Sequence, residues 1–384
     1  MRRLRTASSR HLAVLAATVL AVAVGAVGIA QAVGGAAPPA PKPLAQAVYD
    51  AVNAPAVDGV TARIEFTNSL LPSGALPRDT ASPVLTGATG RLWLANDGRL
   101  RIELQSDAGD AQIVSDGTRF SVYDAASKTA YTGTLPQGKE TSQKDQPATL
   151  DAIKQQLAKL GQMWDVSGAT PGTTAGQPSY TVRIAPKDDG GLLGSAELAW
   201  DAARGVPLRV AVYAQGQSAP VLELKATQIS YGKIAASDVD AKPPAGTKTV
   251  ELNPASGVDS HGQPAEVHGL ADVQKQVGFT ISAPDTLAGL PRQDVSLIRS
   301  QGENGALVTY GHGLGGIAVL ETKASADSGK SPLRLPQVNI GGASGSELAT
   351  ALGTIVTFTR DGVSYTVAGS VPPLAAENAA RGLK

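Results

Sequence analysis

The sequence predicts an α+β chain: a long antiparallel meander that curls against a few apolar helices, followed by a smaller α+β unit. Two observations carry this. Apolar and polar residues alternate with period two through most of residues 59–231, the pattern of strands with one buried face. Glycine (43 residues) and proline (25) fall between those runs and cut the chain into many short strands.

In chain order, residues 44–53 place Leu44, Val48 and Val52 at helical spacing. Residues 59–68 read as a strand with Val60, Ala62, Ile64 and Phe66 on one face, and 70–86 as a loop holding Pro72, Pro77 and Pro83. Leu92 and Leu94 alternate with Arg91 and Trp93. After an Asn96-Asp97-Gly98 turn, Leu100, Ile102 and Leu104 alternate with Arg99, Arg101 and Glu103. That is a hairpin with one apolar and one polar face. Asp116-Gly117 marks the next turn, Phe120 and Val122 follow, and residues 129–134 continue the meander. Leu150, Ile153, Leu157, Leu160 and Trp164 form one stripe, so a helix is expected over 149–164 with Thr149 as its N-cap. Strands resume at 180–184, 195–200, 208–213 and 221–231.

Residues 246–265 read as a Pro-, Gly- and Lys-rich linker. In the unit beyond it, 266–384, a helix is expected near 269–277 and strands near 294–299, 305–311 and 316–322. A loop at 323–345 precedes strands at 354–360 and 363–368, joined by an Asp361-Gly362 turn. Pro373 opens a terminal helix, since proline suits the first helical turn.

The first residues carry Arg2, Arg3, Arg5 and Arg10, and Leu12 to Ala32 is uncharged, ending in Ala30-Gln31-Ala32. This is the order of a signal peptide; kept uncleaved, residues 1–32 would be an N-terminal membrane anchor. Either way the rest is expected outside the cytoplasm, secreted or in the cell envelope. Residues 33–43 form a Pro/Ala linker, and 44–245 the first domain.

Chemistry is sparse. The chain has no cysteine, which excludes thiol catalysis, Cys-ligated metals and lipid attachment at a cysteine. Its formal charge is zero, so no basic footprint points to nucleic acid. Gly133 to Lys139 follows a P-loop spacing, but Glu140 stands where a magnesium-binding hydroxyl belongs. Gly311 to Gly316 satisfies G-x-G-x-x-G, yet a strand, not a helix, should follow. His261, His268 and His312 lack metal-ligand spacing. No cofactor, metal or enzyme activity is expected.

Gly90-Arg91-Leu92-Trp93-Leu94, then Val114-Ser115-Asp116-Gly117, then Val122-Tyr123-Asp124, resembles the LolA-like periplasmic lipoprotein-carrier superfamily. Residues 365–373 with Ala379-Ala380 are similar to the end of its two-domain form, the periplasmic sigma-E regulatory protein. The resemblance implies an unclosed antiparallel β-barrel (half-barrel) with a helical lid. It also implies an apolar cavity for acyl chains of lipids or lipoproteins. By alternation and helix stripe, the cavity candidates are Leu92, Leu94, Leu100, Ile102, Leu104, Phe120, Val122 and Leu157. The two-domain form implies another function, an interaction module for a membrane-anchored anti-sigma or signalling protein. The Ala- and Gly-rich composition suggests an actinobacterial source, peripheral or N-terminally anchored at the membrane.

Overall fold

The computed structural model describes residues 36–72, 82–135, 149–188, 190–252, 267–300, 303–324 and 335–383. Alternating residues build a first sheet from β1 (Gly59–Asn68), β2 (Ala88–Ala95), β3 (Leu100–Ser106), β4 (Gly109–Ser115), β5 (Arg119–Asp124) and β6 (Thr129–Thr134). They are joined by β7 (Trp164–Val166), β8 (Thr170–Thr174), β9 (Gln177–Pro186), β10 (Leu193–Asp201), β11 (Pro207–Ala214), β12 (Leu222–Tyr231) and β13 (Lys248–Leu252). The order is β13-β6-β5-β4-β3-β2-β1-β12-β11-β10-β9-β7, with β8 also on β9. The outer strands β13 and β7 do not pair among the described residues, so this is an unclosed, curled barrel, as the sequence led us to expect.

Its helices are α1 (Leu44–Val52), α2 (Pro83–Thr86), α3 (Leu150–Leu160) and α4 (Ala236–Val239). Ala47 of α1 is buried against Tyr180 and Trp200, and Val84 of α2 packs on the β1–β3 core. The Thr149 hydroxyl caps α3 by accepting from the Ala152 N–H at 3.2 Å.

The second sheet contains β14 (Thr286–Leu287), β15 (Leu290–Ser300), β16 (Glu303–Tyr310), β17 (Ile317–Lys323), β18 (Gln337–Ile340), β19 (Ala343–Thr350), β20 (Gly353–Arg360) and β21 (Val363–Gly369). Its order is β14-β15-β16-β17-β21-β20-β19-β18. Helices α5 (Leu270–Gln274) and α6 (Pro373–Gly382) cover one face, where Val308, Val319, Val356, Val367, Ala376 and Leu383 form the core. The two sheets meet through backbone hydrogen bonds. Leu192 N–H donates to Ser370 O at 3.0 Å, and Ala351 N–H to Leu70 O at 2.8 Å.

Several elements differ from the sequence-based expectation. The helix expected over 149–164 ends at Leu160; Gly161 caps it, and Trp164 instead pairs with Pro186 in β7. Glycine is a poor helix residue, so the apolar stripe outruns the helix there. Residues 248–252, expected in a linker, form β13 and pair in parallel with β6. The helix near 269–277 is only the five residues of α5. Part of the expected loop at 323–345 is the β18–β19 hairpin, turned by Gly341 and Gly342 at φ 58° and 94°. The P-loop-like run beyond Leu135, and His261, lie outside the described residues. Gly311 to Gly316 is the turn from β16 into strand β17.

One buried group in the second sheet is ionisable. Glu321 on β17 is 0% exposed, accepts a hydrogen bond from the Ser282 N–H at 2.9 Å, and faces Tyr365 across β21. Its second oxygen has no hydrogen-bond partner. Burial raises its pKa to about 7, against the smaller opposing effect of the Ser282 bond. Tyr310, also buried with an unpartnered hydroxyl, is pushed up to about 12 by burial. The native state therefore holds the Glu321 proton where the unfolded chain releases it. The stability this gives is complete below about pH 4.5 and is lost as pH rises through about 7. Urea unfolding of the full chain at pH 5 and pH 8 should register that loss as about 3 kcal/mol. Glu321→Gln, which keeps the acceptor for Ser282, should abolish it.

Candidate functional site

Cross-strand register gives the large sheet two chemically distinct faces. Pairing aligns Ala62, Leu92, Ile102, Ile113, Val122 and Tyr131 in one row, extended by Val250 of β13. A parallel row runs through Val60, Leu94, Leu100, Ser115, Phe120 and Gly133 to Leu252. On the other side of β1 the same face continues through Phe66, Leu224, Val210, Leu198 and Val182.

The structure brings Leu92, Leu100, Ile102 and Leu104 together around Ala62, Ile64 and Ala111. Leu92 and Leu94 also pack against the cluster of Val57, Val60 and Val206. Phe120 and Val122 share this face, half-buried, two strands further on. Leu157 is half-buried on α3 and joins none of these clusters. Burial fades along the rows, from 8% exposure at Ile102 to 37% at Tyr131 in the first and from 3% at Val60 to 44% at Leu252 in the second. Sequence reasoning missed Ile113, Tyr131, Val250 and Leu252. The alternation in β4 was a usable signal; β13 was hidden in a stretch rich in proline and lysine.

The opposite face is charged. Arg209 donates to Glu197 at 2.7 Å, to Glu223 at 2.5 Å and to the Tyr213 hydroxyl at 2.7 Å, while Tyr213 donates to Glu197 at 2.9 Å. Burial opposes the Arg209 charge, but these hydrogen bonds outweigh it and raise its pKa. Burial likewise opposes the Glu197 charge, yet Arg209 and Tyr213 hold its pKa below the ordinary value. Lys225 pairs with Glu65 at 3.0 Å, and Arg101 pairs with Glu103. A groove of about 600 Å³ opens on this face, lined by Arg63, Glu65, Thr89, Arg91, Glu103, Gln105 and Thr227, with Ile64 and Gly90 at its floor. None of the eight expected cavity residues lines it.

Two backbone features sit at this groove. Gln228 pairs with Arg63 and Ala226 with Ile64, so Thr227 is an extra residue, a β-bulge. Beside it, a Cβ on Gly90 would overlap the Glu103 carbonyl oxygen. Only glycine lets β2 and β3 approach this closely. Among the described residues no group of His, Asp or Glu could hold a metal, and no helix is long and apolar enough to cross a membrane.

No family model and no curated protein matches the chain. Among solved structures it is similar to MucB in complex with MucA(peri), at 19% identity and a TM-score of 0.40, over 89% of this chain and 96% of that one. It is similar to the Pseudomonas aeruginosa MucA/MucB complex at 19% identity and a TM-score of 0.40, over 88% and 94%. A Vibrio parahaemolyticus domain assigned to outer membrane lipoprotein sorting matches at 11% identity and a TM-score of 0.23, over 52% and 96%.

The close approach at Gly90 can be tested directly. Gly90→Ala should cost about 1–3 kcal/mol in thermal or urea unfolding, the range for forcing extra volume into a packed site. A variant as stable as the parent would show that β2 and β3 separate freely there.

Proposed function

We propose that this chain is an extracytoplasmic binding protein, not an enzyme, that takes up acyl chains of lipids or lipoproteins along the apolar face of its half-barrel. The observation that supports this reading is the apolar row from Leu92 through Ile102, Ile113 and Val122 to Tyr131. It continues outward past the point where the protein's own side chains bury it. A row of apolar side chains left half-covered on one end of a curled sheet is suited to an elongated apolar ligand. Each methylene buried there contributes about 0.8 kcal/mol. A dozen or so would offset an association cost on the order of 4–15 kcal/mol. The ionisable side chains around Arg209 on the opposite face engage one another, which suits a structural role there better than a catalytic one. The basic and then apolar leader, residues 1–32, supports delivery across the membrane.

Titration of the delipidated chain with a fluorescent fatty acid is the test. Saturable uptake is expected, and Tyr131→Glu, at an exposed position, should weaken it at least tenfold without changing the circular dichroism. Absence of uptake, together with no acyl species in native mass spectra of protein from its host, would overturn the proposal. Capture of a membrane-anchored protein instead would favour the alternative, a regulatory interaction module for an anti-sigma or signalling protein. The backbone bonds joining the sheets at Leu192–Ser370 and Leu70–Ala351 suit such a module, because they let both units present one surface.

A further inference from the structure

We infer that the groove on the charged face of the large sheet is a binding site for a phosphate group, built on Arg63 and Arg91. These two residues lie directly opposite each other in the β1–β2 register. Their Cβ atoms are therefore about 5 Å apart on the same face, and like charges in this position destabilise a sheet. Sheets avoid this arrangement or neutralise it with a nearby carboxylate. Glu103 lies opposite Arg91 in the β2–β3 register, but its ion pair is with Arg101. Both side chains are exposed, and neither guanidinium has a hydrogen-bond or ion-pair partner among the described residues.

The carboxylates of the groove do not supply the missing partner. Glu65 is held by Lys225 at 3.0 Å, and Glu103 is paired with Arg101. Counting these outer cations, the groove and its rim carry Arg63, Arg91, Arg101 and Lys225 against Glu65 and Glu103. Lys225 also approaches Glu223 at 3.6 Å, but Glu223 is bound more closely by Arg209 at 2.5 Å. The surplus is the arginine pair itself, and it faces a concavity of about 600 Å³.

A phosphate group suits that surplus. It brings up to two negative charges and several acceptor oxygens, and paired guanidiniums recognise it through charge-assisted, bidentate hydrogen bonds. A carboxylate would neutralise only one of the two arginines. Thr89 and Gln105 add uncharged donors to the groove. The site lies on the face opposite the apolar row, so it stands or falls independently of acyl binding. The phosphate could be free or carried on a lipid headgroup.

Two probes distinguish those sources: inorganic phosphate, read as a thermal shift against chloride at matched ionic strength, and vesicles of phosphatidic acid in phosphatidylcholine, read by co-sedimentation. Saturable binding of either supports the site, and the one that binds identifies the source. Arg63→Gln and Arg91→Gln should each weaken binding about tenfold, the scale of one charged hydrogen bond. Arg91→Lys should retain part of it. Arg119→Gln, which removes an exposed arginine already paired with Glu251, should leave binding unchanged. In chloride alone, Arg91→Gln should be at least as stable as the parent, because it relieves the like-charge pair. The site is refuted if neither probe binds, if Arg119→Gln weakens binding as much as the groove variants, or if a glutamate-rich peptide binds where both phosphate probes fail.

Discussion

The period-two register that aligns Ala62, Leu92, Ile102, Ile113 and Val122 is the constraint on which the rest of the large sheet depends. Side chains on a strand alternate between faces, so slipping one strand by a single residue would turn its apolar set to the charged side. A slip of β2 would turn Arg91 into the core and Leu92 to water, and a slip of β3 would do the same with Glu103 and Ile102. Such a slip loses the transfer energy of several large side chains, roughly 1.5–3 kcal/mol each, and adds unpaired buried charge. The chain has no disulfide to hold the register, so burial must do so.

The same register places two backbone irregularities close together. On β2, Gly90 lets β3 approach where a Cβ would overlap the Glu103 carbonyl, and β12 inserts Thr227 almost opposite, two strands away. A bulge adds local twist and re-aims the residues beside it. Arg63 flanks this bulge and Arg91 adjoins Gly90, so both irregularities border the groove on the charged face.

Much of the first sheet was legible because its signal is local. Leu92 and Leu94, Leu100, Ile102 and Leu104, and the Asn96-Asp97-Gly98 turn lie within a dozen or so residues of one another. The terminal helix was legible from Pro373, which stands at its first turn. The misses have specific causes. The β18–β19 hairpin is built from small residues with little hydrophobic contrast, and its signal was Gly341-Gly342, a two-residue turn. Among the described residues β13 pairs only with β6, more than a hundred residues earlier, so its neighbourhood looked like linker. The Arg63–Arg91 pair could not be read at all. The two residues are separated by a proline-rich segment, and only the strand register places them together.

The edge strand β13 links the two faces. Exposed edges invite pairing with other chains, and proteins blunt them with short strands and charges. β13 has five residues and carries Lys248 and Glu251, yet Val250 and Leu252 continue the apolar rows. The edge is thus guarded in its hydrogen-bonding plane while its apolar side stays half-open. A barrel closed by further strands would bury that side and leave nothing to bind. An unclosed sheet keeps apolar surface available at the margin, where Tyr131 and Leu252 are exposed, away from the core around Leu104. In the proposed acyl-binding role the open edge would itself be the functional feature, held by the packed β1–β4 centre.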